Sequence, residues 1–278
     1  MLRALPMIFL ATACAAGPET VGLSRQWCIA GFENPESVLV ARDGASAYVS
    51  NVAGAGDARD GNGFISRISL DGRVVEREFA IGLNAPKGLA QRNGLLYATD
   101  IDAISVVEAS TGEPVRRIAV PGARFLNDLT FTPDGLLLAA DSQVNVIFSV
   151  DEEGDVRSWL DAPEVRSVNG LFPESDRLVV TTMQGLLIAV DYETRNVAVL
   201  AEGLGRADGV APLGGGRYLV SHWPGKLYVV ERDGSVATIL DTEEQGRYIN
   251  DFAVNGAQVL TPHFEPGEVC AYTLIGRH

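Results

Sequence analysis

Positive charge is scarce in this chain. Its 22 lysines and arginines stand against 36 aspartates and glutamates, a formal net charge of −14. Such a surface repels phosphate backbones, so nucleic acid is not an expected partner, while a site that gathers cations fits the surplus. Helix-period apolar patterns are also sparse. With 30 glycines and 13 prolines punctuating short apolar runs, the expected class is all-β. The apolar stretch nearest the N-terminus, "ALPMIFLA", is too short to span a bilayer as a helix. Neither a second domain nor a low-complexity tail is expected from these residues. Histidine occurs three times, once as the terminal His278.

The first residues read as an export signal: Arg3, the apolar core, then small residues in "TACAAG". Ala11-Thr12-Ala13 suits ordinary signal peptidase, whereas "ATAC" resembles a bacterial lipoprotein box with Cys14 as the lipid-anchored residue. The expected layout is a signal peptide or lipoprotein signal over 1–16, a linker over 17–24 and one domain over 25–278. The mature protein is then exported, either periplasmic or membrane-anchored, where disulfides form.

What the chain does have is a repeat. Glu36-Ser37-Val38 follows Pro35, and Lys87-Gly88-Leu89 follows Pro86. Asn127-Asp128-Leu129, Asn169-Gly170-Leu171, Asp208-Gly209-Val210 and Asn250-Asp251-Phe252 continue the series, in steps of 51, 40, 42, 39 and 42 residues. Each unit reads as four short apolar strands separated by turn residues, such as "PDG" at 133–135 and "DG" at 233–234. Six such units predict a six-bladed β-propeller. The long first step comes from "NVAGAGDARDGNG" at 51–63, expected to be a mobile loop. The sixth unit lacks a fourth strand, and "RQWCIAGF" at 25–32 supplies one, closing the ring. That pairing sets Cys28 beside Cys270 on neighbouring strands, within reach of a disulfide, with two buried thiols as the alternative.

In a propeller the first strand of each unit lines the central channel. Glu36, Lys87, Asn127, Asn169, Asp208 and Asn250 should therefore converge at one mouth. No Cys or His is among them, which disfavours zinc and copper. Carboxylate and amide oxygens suit a hard cation such as Ca²⁺ or another divalent ion. Turn chemistry alone explains any one Asn-Gly or Asn-Asp pair, but not the same side-chain type at one repeat position in five of six units. A second column ends the second strands: Asn51, Asp100, Asp141, Thr182, His222 and His263. Both internal histidines fall in it.

These motifs resemble the gluconolactonase and regucalcin-like (senescence marker protein) family of six-bladed propellers and, more distantly, paraoxonase-type lactonases. The resemblance implies a channel-bound divalent ion held by Glu36 in "NPES", Asn127 in "LNDL", Asn169 in "VNGL" and Asp208 in "ADGV", with Asp208 serving also as a base. The family's "NDG" is "NDL" here, and the Arg that often stands two residues before that Asn and contacts substrate is Phe125. Arg124, Lys87, Asp100 and Asp141 are then the candidate substrate contacts, and His222, His263 and Asp251 the other candidate bases. The implied activity is metal-dependent hydrolysis of a lactone or ester. A non-catalytic propeller that binds a ligand or protein around a structural ion is the alternative.

Overall fold

The computed structural model, which describes residues 21–276, is a six-bladed β-propeller with almost no helix. The expected signal segment, Cys14 and the first residues of the expected linker lie outside the described residues. Each blade is a four-stranded antiparallel sheet whose strands run outward from the channel, in chain order in blades one to five. The innermost strands are Pro35–Val40, Pro86–Arg92, Leu126–Phe131, Val168–Pro173, Ala207–Gly214 and Ala253–Asn255. They carry the repeated motifs, or follow directly on them in blade six, and pack side by side around the axis.

Aliphatic residues alternate along these strands because successive side chains point to opposite sheet faces. The faces of adjacent blades close on one another. Leu138, Ile147, Leu178, Val180 and Ile188 are fully buried between blades three and four. Outer strands are more polar, as in Pro114–Ala119, where only Ile118 is buried.

Gly22–Ala30 is the fourth strand of blade six, antiparallel to Glu268–Ile275. It starts inside the stretch expected to be linker, because Val21 and Leu23 pack on Leu213, Phe252 and Leu274. Cys28 lies directly opposite Cys270, and the two form a disulfide.

The 51–63 insertion is tied down rather than loose. Lys87 Nζ donates to Gly56 O at 2.8 Å, Arg59 pairs with Asp102 at 2.9 Å, and Ala53 N–H donates to Glu33 O. Its glycines admit turns, but a buried ammonium clamps its middle to the channel mouth.

Candidate metal and substrate site

The ring position coincides with a β-bulge. In blades one to five the pairing slips by one residue at the motif: Pro35 pairs Asn51, yet Val38 pairs Val49. The same slip recurs at 86/89, 126/129, 168/171 and 207/210. A bulge leaves extra residues unpaired and re-aims their side chains, which is why turn-forming Asn, Asp and Gly stand at the start of a strand. Hydroxyls on the second strand satisfy the freed backbone. Ser50, Thr181 and Ser221 accept from the N–H groups of Ser37, Gly170 and Gly209 at 2.8–3.0 Å. These serines and threonines were a readable signal that sequence reasoning passed over.

All six ring residues line one cavity of about 250 Å³, with Val52, Gly56, Phe125, Met183, Arg206, Trp223 and Phe264 above them. Its floor is buried: Glu36 is 5% exposed, Asp208 3% and Asn169 2%. Three oxygens there lack any hydrogen-bond partner, namely Glu36 Oε2, Asp208 Oδ1 and Asn250 Oδ1. Leaving such groups unmet costs roughly 1–3 kcal/mol each, more when charged, a cost that a group supplying positive charge would offset. Asn127 Nδ2 donates to Ser142 Oγ at 3.2 Å, which leaves its carbonyl oxygen for the cavity.

Burial raises the proton affinity of Glu36 well above the usual carboxylate range, and Asp208 and Asp251 add to the rise. Asp208 is raised likewise, by burial and then by Asp251. Burial lowers Lys87, against the pull of Glu36. Its Nζ donates to Gly56 O and to Ala85 O and lies 4.3 Å from the Phe125 ring centre. Lys87 therefore lines the cavity as a loop clamp and counter-charge, with two of its three donors committed to backbone carbonyls.

The second column does other work. Asp141 Oδ2 accepts from the N–H groups of Arg124 and Phe125 at 2.6 and 2.9 Å, and its Oδ1 from Gln143 and Val144. Asp100 accepts from Asn84 and Ala85, Asn51 from Glu33, and Thr182 from Leu186. Except for Thr182, each ties down the loop leading into its own blade's ring residue. Asp100 and Asp141 thus turn away from the cavity and are corrected as substrate contacts, as is the exposed Arg124, which does not line it. The walls come from one residue later in the same column: Val52, Met183, Trp223 and Phe264. A step of one along a strand reverses the side chain's direction.

Neither histidine is placed to take a proton from a bound water. His222 Nδ1 accepts from the Arg206 N–H at 2.8 Å and its Nε2 meets Glu243 at 3.0 Å, while burial lowers its basicity. His263 is fully buried beside Thr261 and does not line the cavity. Burial, then the nearby Arg247, depresses its pKa to about 3. Asp251 lines the opposite opening of the channel, a 410 Å³ pocket of mixed polarity that also contains Asp128. There it accepts from Ser37 Oγ and the Phe252 N–H. These three are corrected as bases; Asp208 and Glu36 remain in the cavity.

The raised carboxyls have a measurable consequence. In the folded chain Asp251 is pushed up to about 6, chiefly by burial, and Glu36, Asp128 and Asp208 are also raised. The native state thus holds protons that the unfolded chain has released, and stability falls as pH rises through that window. Groups with lowered values act in the opposite sense: Asp43, at about 2, at more acidic pH, and the buried His222 and His263 below about pH 6.5, where the unfolded chain takes up protons that they refuse. The carboxyl contribution is therefore read by difference: in chelator, the melting midpoint of the parent relative to that of Asp251→Asn should fall as pH rises through about 6. A difference that rises with pH contradicts the geometry. Separately, Asp141→Ala leaves four backbone N–H groups without their acceptor, and should cost about 2–4 kcal/mol by denaturant titration.

No family model matches the chain, and no curated protein matches it. Solved structures do. Virginiamycin B lyase from Staphylococcus aureus superposes with TM-score 0.66 at 14% identity, over 92% of this chain and all of that one. A streptogramin B lyase gives 0.66 at 12% identity, over 92% and 98%. A candidate gluconolactonase gives 0.67 at 17% identity, over 92% and 93%. At such identities the likeness is one of fold, the six-bladed propeller.

Proposed function

We propose that the chain is a divalent-cation-dependent hydrolase of lactones or related esters, working in the ring-end cavity. The observation that carries this is the convergence of three unpartnered buried oxygens, on Glu36, Asp208 and Asn250, in one small cavity. An all-oxygen set with two carboxylates fits a hard cation, Ca²⁺ first among them. Glu36, Asn127, Asn169 and Asp208 would hold it, with Asn250 added by its free oxygen. When bound, such an ion offsets the carboxylates' repulsion and acts as a Lewis acid on an ester carbonyl.

The chain's own residues supply the rest. Asp208 Oδ1 is the acceptor for a proton from the attacking water, made basic by burial and by its acidic neighbours. Lys87 holds the 51–63 loop over the mouth, narrowing solvent access. Phe125, Met183, Trp223 and Phe264 flank the substrate and keep bulk water away. The backbone likeness to a candidate gluconolactonase is in keeping with this reading. The Cys28–Cys270 disulfide is in keeping with export.

The test is a panel of lactones and aryl esters with and without Ca²⁺, read by product mass. Turnover that needs the cation and adds one water is the expected result. Ring opening without added water makes the protein a lyase. Tight cation binding with no turnover on any substrate makes it a binding propeller.

A further inference from the structure

Above its oxygen floor the cavity is almost entirely apolar, walled by Val52, Phe125, Met183, Trp223 and Phe264. Lys87 spends two of its three donors on the Gly56 and Ala85 carbonyls and sits over the Phe125 ring. One rim group differs. The Arg206 guanidinium lies 4.3 Å from the Trp223 ring centre and, among the described residues, joins no salt bridge. Its place is built rather than incidental. The Arg206 N–H donates to His222 Nδ1, and the Trp223 N–H donates to Arg206 O at 3.0 Å. Gly205, at φ +62°, passes so close to the His222 ring that a Cβ would collide with it. Trp223 is itself braced by Tyr248, with ring centres 5.1 Å apart. A fixed, stacked guanidinium with open donors is a recognition element for a planar anion.

Resting on the hydrolase reading, we propose that the substrate is a small lactone or ester with an apolar, preferably aromatic, body and a carboxylate that reaches Arg206. A polyhydroxylated sugar lactone does not suit the site. Hydroxyls that do not reach the oxygen floor would be buried against five apolar side chains without hydrogen-bond partners, a loss at each one. A volume of 250 Å³ is below the range for drug-sized ligands, which keeps the body to about one ring and its substituents. The carboxylate would lie along the guanidinium edge while the body stacks between Trp223 and Phe125.

Three probes test this: dihydrocoumarin, a carboxylate-bearing dihydrocoumarin and gluconolactone. The expected order of kcat/KM is carboxylated, then plain, then the sugar lactone, with the carboxylate worth about tenfold or more. Arg206→Met should bring the ratio between the two dihydrocoumarins to about one, and Arg206→Lys should restore part of it. Preference for gluconolactone, or a ratio unmoved by Arg206→Met, overturns the proposal. Calorimetry with the ring-closed lactam analogues, in which only the carboxylated one carries a carboxylate, separates the two readings. If nothing is hydrolysed yet the carboxylated lactam binds best and depends on Arg206, the hydrolase reading fails and the ligand class stands. If nothing is hydrolysed and no lactam binds, or binding ignores Arg206, both fall.

Discussion

Asp208→Asn should abolish cation-dependent turnover, by about a thousandfold or more in kcat/KM, while raising the melting temperature of the cation-free protein. The opposite signs come from one cause. Asp208 is buried to 3% exposure among Glu36, Asp128 and Asp251, and its Oδ1 has no partner. Without a cation its charge is a liability, so the isosteric amide removes repulsion and stabilises the fold by roughly 1 kcal/mol. With a cation the same charge is both ligand and proton acceptor, and its loss removes two functions at once. Scanning calorimetry in chelator and with Ca²⁺, beside the activity panel, separates the terms. An unchanged cation-induced rise in the variant would place the ion elsewhere. A fall in its cation-free midpoint would mean that Asp208 has a structural partner.

The second large effect concerns ring closure. Gly22–Ala30 is joined to Glu268–Ile275 across most of the chain, and the Cys28–Cys270 bond spans 242 residues. Cross-linking so distant a pair removes many conformations from the unfolded chain, worth about 2–5 kcal/mol. Reduction, or the double substitution Cys28→Ser/Cys270→Ser, should therefore lower the melting midpoint by roughly 5–15 °C. Arg247 Nη2, which sits 3.0 Å from the Cys270 sulfur and pairs with Glu268 at 2.8 Å, keeps this corner ordered. The serine variant should be indifferent to reductant while the parent is not. A parent that melts identically with and without reductant contradicts a closure role for the bond.

Much of this architecture was legible because it repeats. The motif spacing disclosed six blades, the missing last strand disclosed the closure, and the shared first position disclosed the residues that line the cavity. What stayed hidden depends on direction at single-residue resolution. Asp100 and Asp141 end strands at the right height, but the pleat points them at the backbone of their own loops, and Val52, Met183, Trp223 and Phe264 face the cavity instead. Asp251 adjoins ring residue Asn250, yet it lines the other opening of the channel. The rarity of His222 and His263 drew attention to groups whose ring nitrogens serve neighbours or lie buried. Lys87 was legible as a ring member, but its clamp on Gly56 depends on how the long loop folds back. Arg206 was passed over because it stands outside both columns, at the position in blade five that Phe125 holds in blade three.

The central claim is that the ring floor is a cation site, and a crystal grown with Ca²⁺ tests it most directly. One ion is expected within about 2.3–2.6 Å of oxygens of Glu36, Asn169 and Asp208, with Asn127 or Asn250 also in its shell. A floor whose carboxylates are met only by water at saturating Ca²⁺, or an ion bound elsewhere, would contradict it.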